Sequence, residues 1–94
     1  MPSSTPQEFA ELLATRVGPH RTVSFLGQQD GAWRYSLTMG TARLELQVPT
    51  QMLDTENFAA LYSPIEELLS VRDTGSFRLE RDGGHIRTIN LRLR

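Results

Sequence analysis

Asp73-Thr74-Gly75-Ser76 is the stretch whose residue types and spacing come nearest to chemistry. An Asp-Thr-Gly triplet, doubled by pairing two copies of a chain, sets two carboxylates side by side so that they share a proton and activate water. Such hydrolases carry the triplet early in the protomer, with flap elements after it, and too little chain follows Ser76 to supply them. Between a helical and a strand pattern, Asp, Thr and Gly are also ordinary turn residues. The spacing predicts a turn here, not a catalytic dyad.

The remaining chemistry is sparse. His20 and His85 are the two imidazoles, so a three-histidine zinc site is impossible, and neither belongs to a paired-histidine spacing. One follows Gly18-Pro19 and the other Gly83-Gly84, which predicts solvated turn histidines. No G-x-S-x-G frames a serine nucleophile, and Gly83-Gly84 lacks the strand, glycine spacing and following helix of a nucleotide loop. The chain has no Cys, which closes thiolate catalysis, disulfides and cysteine metal sites. Its basic residues are all Arg, which closes lysine Schiff-base chemistry. A non-enzyme with no cofactor and no metal is expected.

The arginines are the polar groups left to consider, and their placement depends on the elements that carry them. Thr5-Pro6-Gln7-Glu8 reads as a helix start, with Thr5 as cap, proline in the first turn and Glu8 closing a capping box. Phe9, Leu12, Leu13 and Val17 then share a face, and Gly18-Pro19 ends the helix. From Arg21 the apolar period becomes two: Val23 and Phe25; then Trp33, Tyr35, Leu37 and Met39; then Ala42, Leu44, Leu46 and Val48. Turns at Gln29-Asp30-Gly31 and Met39-Gly40-Thr41 predict an antiparallel meander.

Helical spacing returns from Asp54 to Ser70 through Phe58, Leu61, Tyr62, Ile65, Leu68 and Leu69. Ser63-Pro64-Ile65-Glu66 repeats the cap, proline and Glu order of the first helix, which predicts a kink or split at Pro64. Asp73-Thr74-Gly75 leads into a last hairpin, Phe77 to Arg81 and Ile86 to Leu93, joined through Asp82-Gly83-Gly84. The expected fold is α+β, order α-β-β-β-α-β-β: a two-layer sandwich of one antiparallel five-stranded sheet covered on one face by two helices. A chain of 94 residues, 38% apolar and 22% charged, fits one domain over residues 1–94 with ordinary globular composition.

The alternation assigns the other sheet face to polar residues, among them Arg34, Arg43, Arg78, Asn90, Arg92 and Arg94, with Glu45 and Glu80 between them. Guanidinium forks suit phosphate and carboxylate groups. The aromatics Phe25, Trp33, Tyr35 and Phe77 fall on the opposite phase, so this face offers no stacking platform for bases. Net charge is −1, and a nucleic-acid partner is the lesser expectation. Met52, Leu53 and Tyr62, near the ends of an acidic stretch, are expected to stay partly exposed for a protein partner or a second copy. The last strand is a candidate sheet edge, and edges invite pairing.

Helix, three strands, helix, two strands is an order that resembles the class I chaperones of type III secretion, small homodimers whose sheets receive an extended client segment. Those chaperones are usually more acidic and carry a further C-terminal helix. The resemblance implies a cytoplasmic, homodimeric, chaperone-like adaptor. The residues themselves point to a protein-interaction module, with no membrane span or leader pattern in the sequence. Heavy use of Arg over Lys suits a GC-rich bacterial or phage genome.

Overall fold

The computed structural model describes residues 5–19, 21–55 and 58–91. Its elements are α1 (Thr5–Val17), β1 (Thr22–Gln29), β2 (Ala32–Met39), β3 (Ala42–Pro49), α2 (Thr50–Thr55), α3 (Phe58–Val71), β4 (Gly75–Asp82) and β5 (His85–Asn90). This is an α+β fold with three helices and a five-stranded sheet in the order β1-β2-β3-β4-β5. The side chain of the expected cap Thr5 lies outside the described residues, as do His20, Arg92 and Arg94.

The meander forms as the period of two requires. Asp30 and Gly31 both take positive φ, 54° and 75°, the pair of left-handed positions that matches a two-residue turn to the twist of the strands it joins. Register then pairs Leu37 with Leu44, Tyr35 with Leu46 and Trp33 with Val48, placing bulky residues on one face. Along β1, Val23 and Phe25 keep that phase until the register shifts between Phe25 and Gly27. The bulge leaves Leu26 exposed.

The sheet is mixed, not wholly antiparallel: β3 and β4 run parallel, Leu44 opposite Gly75 and Leu46 opposite Phe77. Parallel neighbours need a long crossover to bring the chain back to the same end, and α2 with α3 supplies it. The helices of the crossover begin at Thr50, directly after Pro49, and at Phe58. Of the kink or split expected at Pro64, the split is corrected: α3 continues through the proline. Proline removes one helical hydrogen bond, to the carbonyl four residues back. That carbonyl belongs to Ala60, which is exposed and open to water.

Phe9, Leu13, Leu61 and Ile65 from the helices join Tyr35, Leu37, Leu44, Leu46, Val48, Phe77 and Leu79 in one core cluster. Phe9 is its hub, stacked on Tyr62 at 5.7 Å and edge-on to Tyr35 at 5.6 Å and Phe58 at 5.2 Å. Tyr35 donates its O–H to the Pro6 carbonyl at 2.8 Å, tying the start of α1 to the sheet. Leu12, expected on the inner stripe, is exposed at 41%, and Ala10 is buried instead, because the seam of α1 runs along i, i+4, i+8 through Phe9, Leu13 and Val17.

Candidate functional site

Gly83 and Gly84 close a two-residue turn in which Asp82 faces His85, and that register fixes the phase of β5. Asn90 lies opposite Phe77 and Thr88 opposite Leu79, both core-facing; Ile89 lies opposite Arg78 on the other face. The expected phase, with Ile89 inward and Asn90 outward, is therefore corrected. In Ile86-Arg87-Thr88-Ile89-Asn90-Leu91 the aliphatics are three and then two apart, so alternation fits either phase only in part, and a one-residue slip exchanges the faces.

The consequence is a groove. Because β5 turns Thr88 and Asn90 toward α3 where aliphatics would fill the layer, helix and strand leave a space of about 460 Å³ between them. Pro64, Leu68 and Val71 line it from one stripe of α3, and Phe77, Ile86 and Thr88 from the sheet. Glu67 of α3 and Arg72 just beyond its end stand on the rim. Val71 is 73% exposed and Leu91 40%.

Beside this groove β5 ends the sheet. The Leu91 N–H donates to the Ser76 carbonyl at 2.8 Å. In an antiparallel ladder inward and outward bonding alternate, so Arg87 and Ile89 bond toward β4 while Ile86 and Thr88 direct N–H and C=O to the edge. The β1 edge is interrupted by its bulge, a common way of blunting an edge. Along His85–Asn90 there is neither proline nor a register shift. Its one charge, Arg87, is drawn back over its own hairpin by Asp82 at 3.4 Å and Glu80 at 3.6 Å.

The arginine face is assembled as its phase required, in part. Gln47 has Arg34 as register partner on one side and Arg78 on the other, which sets the three in a row, and Arg43 projects from the same face opposite Thr38. The row is internally satisfied. Arg34 donates to Glu45 at 2.7 Å, a bond that raises its pKa above the usual guanidinium value, with Coulombic attraction adding to it. Arg78 donates to the Gln47 side chain at 3.2 Å. Arg43 is exposed, with no side-chain partner among the described residues.

Met52, Leu53 and Tyr62 are corrected outright as exposed contact residues. They are 7%, 5% and 7% exposed and belong to the core cluster, because α2 starts immediately after β3 and folds its apolar pair inward. Tyr62 stacks on Phe9 and carries the Arg16 guanidinium 5.0 Å from its ring centroid; burial, first, raises its pKa. Asp73 and Thr74 are exposed in the turn before β4, and His85 is exposed in the last hairpin. Among the described residues no three His, Cys, Asp or Glu side chains gather to hold a metal ion.

The edge at β5 was expected of the last strand, but the groove beside it escaped sequence reasoning, because it follows from which phase the last hairpin adopts and from where the crossover sets α3 over that strand. The one available signal was the three-residue interval between Ile86 and Ile89. Compared with family models, curated proteins and solved structures, the chain matches none. No described helix is long and apolar enough to cross a membrane.

Proposed function

We propose that the protein is a non-catalytic interaction module, adaptor-like or chaperone-like, that binds protein chains along the β5 edge and the groove beside α3. The observation that carries this reading is the contiguity of the two. Outward backbone groups at Ile86 and Thr88 adjoin an apolar floor of Leu68, Phe77 and Ile86. Main-chain bonding at an edge gives affinity to any extended or antiparallel strand, and the adjoining pocket gives selectivity. The reading takes the helices as one layer over one face of the sheet, supported by a core cluster drawn from both helices and one strand phase.

A photoreactive residue placed at Thr88, with another at Thr41 in the distant β2–β3 turn as control, tests it in the native host. Protein adducts at Thr88 and none at Thr41 are expected. No adduct at Thr88 removes the proposal.

A second reading, nucleic-acid binding by the open face, draws on the Arg34–Gln47–Arg78 row and the exposed Arg43. Glu45 and Gln47 already occupy two of these guanidiniums, which lowers what remains for phosphate. Binding through this face would weaken steeply with salt as counterions are released, and a low-salt filter assay with no retention eliminates it.

A further inference from the structure

Two features at the groove are complementary to themselves. Glu67 on α3 and Arg72 directly after its last turn are exposed, and neither forms an ion pair among the described residues. Between them in sequence lie Leu68, at the groove, and Val71, 73% exposed. If a second α3 runs antiparallel beside the first, Glu67 meets the partner's Arg72 as Leu68 meets the partner's Val71, and two-fold symmetry makes each contact twice. Arg72 is held in line with the last turn by the bond from its N–H to the Leu68 carbonyl at 2.9 Å, so the unpaired acid, the exposed aliphatic and the unpaired base follow one another along the end of the helix.

The strand below is compatible with the same axis. The groove brings Leu68, Val71 and Arg72 beside Thr88, so an axis passing the middle of α3's last turns also passes near Thr88. In a two-fold antiparallel pairing, opposed residues share a face, so the axis falls on a residue rather than between two. Centred on Arg87, it would oppose two guanidiniums; centred on Thr88, it opposes outward-bonding threonines and sets Arg87 against the partner's Ile89. Arg87 is moreover already neutralised by Glu80 and Asp82 of its own hairpin.

We infer that the occupant of the β5 edge is a second copy of this chain, forming an isologous dimer with a continuous sheet across β5 and an α3 pair locked by Glu67 and the partner's Arg72. This rests on the reading of that edge as a protein-binding surface and narrows it to one partner. Val71 and the groove floor then become buried, and Arg34, Arg43 and Arg78 remain on the outer face.

Sedimentation velocity on the full chain across a concentration series is the test, with a charge swap to identify the interface. The chain is expected to dimerise. Arg72→Glu and Glu67→Arg, each of which creates like-charge contacts twice, should each weaken the dimer about tenfold. The double variant R72E/E67R should recover most of that loss. Amide exchange at Ile86 and Thr88 should slow as concentration rises. A monomer throughout, or a dimer indifferent to both single reversals, overturns the inference. A monomer whose Thr88 photoprobe still captures another protein overturns it while leaving the broader reading standing; a monomer with no adduct sinks both.

Discussion

Tyr35 shows how one side chain can fasten two elements. Its ring is wholly buried among Phe9 and Phe25, and its hydroxyl reaches the Pro6 carbonyl. Burial raises its pKa well above the ordinary 10.0. The folded state therefore holds this proton more tightly than the unfolded one. Stability from this group is full below pH 10.0 and is lost as pH rises above that value toward the folded pKa. Tyr35→Phe should cost about 1 kcal/mol at neutral pH through the lost hydrogen bond. It should also flatten the alkaline decline, which urea titrations from neutral to alkaline pH would show. Gly75 is a second fixed point: at φ 119°, an added Cβ would sit 2.8 Å from Phe77 Cε1. Gly75→Ala should destabilise by about 1–3 kcal/mol, read from the denaturation midpoint.

Among the elements, α3 carries the clearest internal cost. Pro64 lies inside it, where a helix loses a hydrogen bond and gains a steric clash. Pro64→Ala should stabilise the chain by about 1–2 kcal/mol, the helical gain being offset in part by a more flexible unfolded chain. Chemical denaturation and helical circular dichroism would both register it. The cap-like Ser63-Pro64 pointed to a kink or split because the sequence weighs local propensity alone. Ile65 and Leu68 are anchored on the core from one side of the proline and Leu61 and Tyr62 from the other, and that packing carries the helix across. The three-strand meander was legible because a period of two holds through Trp33, Tyr35 and Leu37 and again through Leu44, Leu46 and Val48, and its turns have the residues such turns require. β5 was not, since its apolar spacing changes between Ile86 and Ile89 and the hairpin register chose the phase.

At the scale of the whole molecule, one cluster joins all three helices to the sheet. Leu61, fully buried at its centre, is a measure of that unity. Leu61→Ala should cost about 2–5 kcal/mol, shifting the urea midpoint without changing the slope if the molecule unfolds as a unit. A lowered slope would instead mean that part of the chain unfolds separately. The arginine-bearing face contributes through its own pairs, Arg34 with Glu45 and Arg78 with Gln47. Its arginines were placed on one face by the sequence, but their satisfaction by neighbours could be seen only once β3 lay between β2 and β4.

The sequence by itself determined the element types, the inner phase of the meander and the closing of thiolate and lysine chemistry, since these follow from periods, turn residues and missing side chains within a few positions of one another. Tertiary structure decided the parallel joining of β3 to β4, the burial of Met52, Leu53 and Tyr62, and the phase of β5 with its groove. The groove's floor and the first two depend on where a distant segment returns along the sheet, whereas the phase of β5 is chosen by its hairpin register. Local residue preferences do not encode that direction; it is set by the crossover helices finding the one placement that closes the core.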